Sequence, residues 1–481
     1  MVNKMQLSEI AGQLCAEVIG GDASFESVSI DSRTLHPKQL YVALNGKRFN
    51  GHEFAEQACA AGACALLVSE PVSTAVQLPQ LKVADTKIAL GQLGRINREA
   101  SGARLIAVTG SSGKTTVKEM VSAILSEMGN TLATSGNFNN EIGVPLTLLR
   151  LEQQHQYGVI ELGASAGGEI AYLVSLVEPE VAIITNVARA HLSGFGRLSD
   201  VANAKAEILT GITPGGTAVL NADDEHYIKW RLMALSEGSG VVSFSTDPTK
   251  IRTHADYYCA GIETGNPAVS TFALITPVGE ISVSLKLPGS HNLSNALAAA
   301  AATMAIGATI EQVKAGLEKM KPVAGRLISL EGRNGSTVID DSYNANPGSV
   351  KAAIETLATY SGRRILVLGD MGELGEQSET LHREMGRIAA QHKIDAVFTL
   401  GEKSRAAYAE YAGIHLGGGG AFDDRDALLN ALQPKLKKNT IILVKGSRSA
   451  QMEKVVDGLK VKKNNASTEA LQQRELAAEL S

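Results

Sequence analysis

The chain has 481 residues, 44% apolar and 20% charged, with a formal net charge of −5. That balance gives no electrostatic reason for a nucleic-acid partner or an anionic membrane, and the length suits two to four domains. Four cysteines without a C-x-x-C pair (Cys15, Cys59, Cys64, Cys259) argue against a disulfide framework or a zinc-thiolate site and fit reduced thiols.

The opening segment, MVNKMQLSEIAGQL, has the spacing of an amphipathic helix and lacks the apolar run of a signal peptide. Residues 1–84 then mix short strands and a helix, "LYVALNG" and "HEFAEQACAAGACALLV", and a new helix opening at "VADTKIALGQL" marks the first boundary. From 85 to 323, strands ("RLIAVTG", "YGVIELG", "VAIITNV", "GTAVLNA") alternate with helical stretches, which argues for a mainly parallel sheet with crossover helices. The longest apolar tract, "NALAAAAATMAIGA", falls short of the ~20 residues of a membrane span and reads as a buried alanine-rich helix. The rhythm repeats from 324 to 460 ("TVIDD", "RRILVLGD", "DAVFTLG", "NTIILVKG"), as a separate Rossmann-like α/β domain. The tail 461–481 is polar with a weak apolar stripe and receives no function.

Between the strand "RLIAV" and the helical "TVKEMVSAILSEM" stands "TGSSGKTT". The usual phosphate loop, G-x-x-x-x-G-K-[ST], needs glycine where Val108 stands, so this loop is shorter: Gly110, Ser111, Ser112, Gly113, Lys114, Thr115, Thr116. The context still suits a triphosphate. Helix-start N–H groups and the helix dipole favour an anion. Glycines admit phosphate close to the main chain, Lys114 supplies a mobile charge, and Thr115 offers a hydroxyl to Mg²⁺.

Other positions carry two readings each. Glu161 ends the strand "YGVIE", where a carboxylate is placed to hold Mg²⁺ or simply to meet solvent. His191 follows the strand "VAIIT" in a glycine-bearing loop, and Lys205 sits in the helical "ANAKAEIL", where most lysines are solvated. His291, Asn292 and Asn295 open the alanine-rich helix, as caps or as amides that recognise a base. Arg326 in "GRL" is a candidate bidentate donor for phosphate. Asp340 and Asp341 end the strand "TVIDD"; Gly369, Gly372 and Gly375 lack the spacing of a dinucleotide fingerprint; Lys445, Ser447 and Arg448 make a candidate anion-binding edge.

Taken together these motifs resemble the Mur ligase family and its folylpolyglutamate synthetase relatives, whose ATP loop reads T-G-x-x-G-K-T-[TS]. The order along the chain also matches: "SGNFNNEIGVPLTLL", "ELGA", "NVARAHLSGFG", "AKAEI", "GSHNLSNALAAA", "GRL", "DDSYNANPGS", "GDMGELG" and "VKGSRSAQME", from about residue 28 to 459. "DSYNANPGS", "GDMGELG" and "VKGSRSA" favour the member that adds D-alanyl-D-alanine to UDP-N-acetylmuramoyl-tripeptide. The sequence has Asn50 where the family commonly has Asp, and Ser165-Ala166 where many relatives carry Asn-His.

The resemblance implies a small N-terminal UDP-substrate domain, a central ATP-binding domain and a C-terminal ligase domain. It implies an ATP- and Mg²⁺-dependent amide ligase of peptidoglycan precursor synthesis, monomeric and cytoplasmic, acting through an acyl phosphate. The catalytic group would be Lys114, Glu161, His191 and Lys205, with Lys205 carbamylated and joining Thr115, Glu161 and His191 around metal. Residues 110–116, Asn292, Asn295, Arg326 and Asp341 would serve ATP. Ser32, Arg33, Lys47, Asn139, Asn140, Ser342, Asn344, Asn346, Lys445 and Ser447 would serve the other substrates. Three rivals stay open: a folylpolyglutamate-type ligase, a phosphate-loop NTPase or kinase, and a UDP-sugar-binding protein without catalysis.

Overall fold

A run such as Ala65–Val68, buried at every residue, can only be a strand covered on both faces. The computed structural model describes residues 1–46, 49–188, 195–250, 255–263 and 269–461. They fall into two units, Met1–Lys321 and Pro322–Ser481.

The first unit opens with a five-stranded sheet: β1 (Glu17–Ile19), β2 (Ser27–Ser29), β3 (Gln39–Val42), β4 (Ala65–Val68) and β5 (Gln80–Lys82), in the order β1-β5-β4-β3-β2. The pairs β2–β3, β3–β4 and β4–β5 are parallel; β1 pairs antiparallel with β5. The helix expected over the opening segment is only Leu7–Ala11, because Met5–Gln6 pairs antiparallel with Ser24–Phe25. The Asp22 carboxylate takes the Ser8 N–H, the Ser8 hydroxyl and the Gln6 amide, which stops the extended stretch at that point. Helix α1 (Thr86–Glu99), capped by the Asp85 side chain, gives Ala89, Leu90 and Leu93 to the core under this sheet. Its other face is trimmed to glycine: a Cβ on Gly91 would lie 2.1 Å from the Tyr172 hydroxyl, and one on Gly94 would lie 3.0 Å from Pro145 Cα.

The same unit holds a nine-stranded sheet. Its strands are β6 (Arg104–Thr109), β7 (Thr131–Ala133), β8 (Tyr157–Glu161), β9 (Val181–Ile184), β10 (Thr217–Asn221), β11 (Gly240–Ser245), β12 (Tyr257–Glu263), β13 (Ser270–Thr276) and β14 (Gly279–Leu285), ordered β7-β8-β6-β9-β10-β11-β12-β13-β14. All pairs through β11–β12 are parallel; β12–β13 and β13–β14 are antiparallel. Helices α2 (Lys114–Leu125), α3 (Gly143–Leu148), α4 (Glu169–Val177), α5 (Leu198–Ala206), α6 (Ser290–Ala305) and α7 (Ile310–Lys319) are among those that accompany it. The alanine tract of α6 is buried from Ala296 to Thr303, small side chains letting the helix lie close to its neighbours. The chain leaves β6 toward β7 and β8 on one side and β9 on the other, so the carboxyl ends of β8, β6 and β9 flank a crevice where ligands bind in open α/β sheets.

The second unit is a six-stranded sheet: β15 (Ile328–Glu331), β16 (Thr337–Asp341), β17 (Arg363–Gly369), β18 (Ala396–Leu400), β19 (Gly418–Phe422) and β20 (Thr440–Lys445), ordered β15-β16-β20-β17-β18-β19. Only β15 is antiparallel to its neighbour. Helices α8 (Pro347–Ala358), α9 (Ser378–Gln391) and α10 (Arg405–Ile414) connect its strands. Among the described residues no helix is long and apolar enough to cross a membrane.

Candidate active site

Two glycines are required by the loop between β6 and α2. Gly110 has φ +146°, and a Cβ there would lie 1.9 Å from Thr185 Oγ1. Gly113 caps α2 in the left-handed region at φ +83°, and a Cβ there would lie 2.5 Å from Asn295 Oδ1.

The end of β9 grips the residues between them. Ser111 N–H donates to the Asn186 carbonyl at 2.9 Å, and Ser112 N–H to Asn186 Oδ1 at 3.0 Å. Thr185 Oγ1 donates to the Ser112 carbonyl at 2.6 Å. The short glycine spacing thus has a structural reason: the two serines are clamped to the neighbouring strand. The turn is thereby delivered straight into the first turn of α2, where Lys114, Thr115 and Thr116 begin the helix. Lys114 Nζ folds back to the Gly110 carbonyl at 2.8 Å.

Glu161 closes β8 and is 2% exposed. Its Oε1 accepts from Asn139 Nδ2 at 2.9 Å, while Oε2 is buried without a partner among the described residues. An orphaned, buried carboxylate oxygen beside a phosphate loop is the donor a hard divalent cation takes. The described residues contain no group of three or more His, Cys, Asp or Glu side chains able to hold a metal by themselves. His191, expected to contribute, lies outside the described residues, as does Lys47.

Lys205 is a helix lysine that does not reach solvent. It lies on α5, is 1% exposed, and its Nζ sits 5.7 Å from the centre of the Phe195 ring. Burial, and then the charge of Lys114, push its pKa down to about 7, against the pull of Glu169 and Glu207. Glu207 also accepts from Gly168 N–H at 2.7 Å and Ala171 N–H at 3.0 Å, tying α4 to the segment after α5.

Several expected contacts are turned inward. Asn292 Nδ2 donates to the Pro288 carbonyl at 2.7 Å and Asn295 Nδ2 to Asn292 Oδ1 at 3.0 Å, so this pair braces Gly113. Asn140 Oδ1 accepts from Gly143 N–H at 2.9 Å. In the first sheet Ser32 Oγ donates to Gln57 at 2.9 Å. Exposed Arg33 makes a two-pronged contact with Asp31 and holds that carboxyl down at about 2.

In the second unit the Arg326 guanidinium stacks 4.4 Å from the Tyr343 ring centre, next to Gly325 at φ +71°. Asp341 and Lys445, at the ends of β16 and β20, form a buried pair at 2.7 Å, and Lys445 also donates to the Asn344 carbonyl at 2.9 Å. Burial pushes the Asp341 carboxyl up and the Lys445 ammonium down, and each partner's charge opposes that. Lys445→Met leaves Asp341 buried without its cation; urea unfolding should show a loss of ~3–5 kcal/mol, largely recovered when Asp341 is also replaced by Leu. Ser342 Oγ donates to Asp340 at 2.6 Å, Asn346 caps α8 through Ser349 N–H at 2.8 Å, and Ser447 Oγ meets Ser449 Oγ at 3.1 Å.

His382 went unread in the sequence. It is fully buried; its Nε2 accepts from Met371 N–H at 3.0 Å and its Nδ1 lies 2.7 Å from the Ser378 carbonyl. Only the neutral tautomer protonated on Nδ1 satisfies both, and burial lowers the pKa to match. No local pattern marks such a histidine, because both partners are main-chain atoms. The clamp of Thr185 and Asn186 was also missed, although both stand in "IITNVA".

Three stretches match family models: residues 24–98 the Mur ligase family catalytic domain, 108–303 the Mur ligase middle domain, and 325–448 the Mur ligase glutamate ligase domain. The chain is 46% identical to the UDP-N-acetylmuramoyl-tripeptide–D-alanyl-D-alanine ligase of Escherichia coli (strain K12), over 94% of this chain and 98% of that protein. It superposes on MurF from Acinetobacter baumannii with a TM-score of 0.87 at 36% identity, covering 95% of this chain and 98% of that one. The MurF ligase from Thermotoga maritima in complex with ADP gives 0.80 at 26% identity, covering 90% and 96%.

Proposed function

The chain belongs to the Mur ligase family, and from that premise we propose that it joins D-alanyl-D-alanine to UDP-N-acetylmuramoyl-tripeptide at the expense of ATP, in peptidoglycan precursor synthesis. The observation that carries this reading is buried Lys205 beside the phosphate loop, its pKa drawn down to about 7. A plain NTPase has no use for a sequestered amine whose neutral form is readily reached. A ligase that carries a carbamate does.

The chemistry runs in two steps. A carboxylate oxygen of the tripeptide attacks the γ-phosphorus of ATP, the bond to the bridging oxygen breaks, and ADP leaves an acyl phosphate. The amine of D-alanyl-D-alanine then attacks the acyl carbon, inorganic phosphate departs, and the amine's proton is lost. The protein's work in the first step is positioning and charge stabilisation. Lys114 exchanges its contact with the Gly110 carbonyl for phosphate oxygens, and the first-turn N–H groups of α2 face the same charge. We assign Thr115, Glu161, His191 and the carbamate of Lys205 to Mg²⁺, which when bound offsets the charge that builds on the phosphoryl group. The carbamate forms when neutral Lys205 Nζ bonds to the carbon of CO₂ and gives up a proton. In the second unit, Arg326 and Asp341 serve the nucleotide, and Asn344, Lys445 and Ser447 the other substrates. The reading keeps the protein a cytoplasmic monomer.

The test is phosphate release from ATP with purified UDP-N-acetylmuramoyl-tripeptide, with and without D-alanyl-D-alanine. Sustained release should need both substrates. Release at an equal rate from ATP alone would return the chain to the NTPase class.

A further inference from the structure

Lys118 is a charged side chain with no part in the chemistry above. It is 2% exposed; its Nζ donates to the Thr134 carbonyl at 2.7 Å and pairs with Glu119 at 2.6 Å. An apolar side chain of equal length would fill the space without desolvating an ammonium. A buried charge at this position therefore calls for a use.

Its place on α2 supplies one. Lys114 and Lys118 are four apart and leave the helix on one face. Lys114 reaches the carbonyl of Gly110, just past β6; Lys118 reaches that of Thr134, just past β7. In the sheet β8 runs between those two strands, and its last residue is Glu161.

Thr134 continues the link. Its hydroxyl accepts the Glu161 N–H at 3.0 Å, and its own N–H donates to the Val159 carbonyl at 3.1 Å. The loop that starts at Thr134 delivers Asn139, whose amide holds Glu161 Oε1. Both fastenings of Glu161, one on its main chain and one on its carboxylate, thus hang from the segment that Lys118 anchors.

We infer that Lys118 is a positioning residue: it pins Thr134 and the start of the 135–142 loop to α2, so that Glu161 keeps a single arrangement with Oε2 left over for a divalent cation. This rests on the reading of Glu161 as a Mg²⁺ ligand, and the test separates the two.

Binding of a fluorescent ATP analogue is titrated with Mg²⁺, alongside kcat and KM. Lys118→Met should raise the Mg²⁺ concentration for half-maximal nucleotide binding by about 10–100-fold, with kcat falling in parallel, as when the outer support of a metal ligand is lost. Lys118→Arg should recover most of the shift. Thr134→Val should move Mg²⁺ dependence the same way, and the double variant Lys118→Met/Thr134→Val no further than Lys118→Met alone.

A folded Lys118→Met protein with wild-type Mg²⁺ dependence overturns the inference. Where Lys118→Met does not fold, wild-type dependence in Thr134→Val overturns it equally. Glu161→Gln separates the two levels. If Glu161→Gln shifts the Mg²⁺ dependence and Lys118→Met does not, the inference alone falls. If neither shifts it, the metal reading of Glu161 falls and takes the inference with it.

Discussion

Lys114→Ala should lower kcat by on the order of 10²–10³, comparable to removing one oxyanion donor and equivalent to ~3–4 kcal/mol of transition-state stabilisation. The physical reason is the small distance between what Lys114 does at rest and what the reaction asks of it. Its Nζ already lies on the Gly110 carbonyl at 2.8 Å, inside the loop that receives phosphate. Turning it toward a phosphate oxygen therefore costs little reorganisation.

The loss should reach further than one contact. Lys114 is also a cause of the depressed pKa of Lys205. Removing its charge lets the Lys205 amine hold its proton to higher pH, so the variant should need a more alkaline medium to form the carbamate. Affinity for UDP-N-acetylmuramoyl-tripeptide, measured by calorimetry without nucleotide, should stay close to wild type. Turnover within about threefold of wild type would remove Lys114 from the phosphoryl step.

How much of this was legible in the sequence depends on how local the cause is. Val181–Ile184 and residues 441–444 of the strand Thr440–Lys445 are continuous apolar runs, and such strands declare themselves. The β12–β14 meander was passed over although β13 alternates, with Phe272, Leu274 and Thr276 buried in turn; that period-2 signal was present and unread. The opening helix failed for a different reason. Asp22, well downstream, captures Gln6 and Ser8, and a helical periodicity cannot foresee that.

The site divides in the same way. The phosphate loop was visible because strand, glycines, lysine and helix are contiguous. The reason for its short spacing was not, because Thr185 and Asn186 come from another strand. Asn292 and Asn295 stood out as caps or as base-reading amides, yet whether they face a ligand or their own loop is decided by what packs above them. Lys205 was mute in the sequence for that same reason: exposure of a helix lysine is a property of its neighbours.

Lys205 also gives the second large expected effect. With an ordinary pKa of about 10.4, roughly one lysine amine in a few thousand is neutral at pH 7; with a pKa of about 7, close to half are. Activity at limiting bicarbonate should therefore rise with pH through about 7 and then level, and added bicarbonate should flatten the profile. Lys205→Ala should lower turnover by at least the ~10–100-fold that loss of a metal ligand's outer support costs, with partial rescue by formate or acetate standing in for the missing carboxylate. Full activity in Lys205→Ala would remove the role.

The same buried amine should also make stability depend on pH. Below about pH 7 the folded chain carries a charged, desolvated ammonium at 1% exposure. Between about 7 and the unfolded value near 10.4, the unfolded chain holds that proton and the folded chain does not. Stability owed to this residue therefore rises with pH across the window, by on the order of 1.4 kcal/mol per unit. Lys205→Met should abolish that slope in CO₂-free buffer and stabilise the fold near pH 6 by ~1–4 kcal/mol, while lowering turnover as Lys205→Ala does. A variant that loses both stability and activity would instead mark Lys205 as a packing residue. One that gains stability as it loses turnover would identify a buried amine kept, at a cost to the fold, for its chemistry.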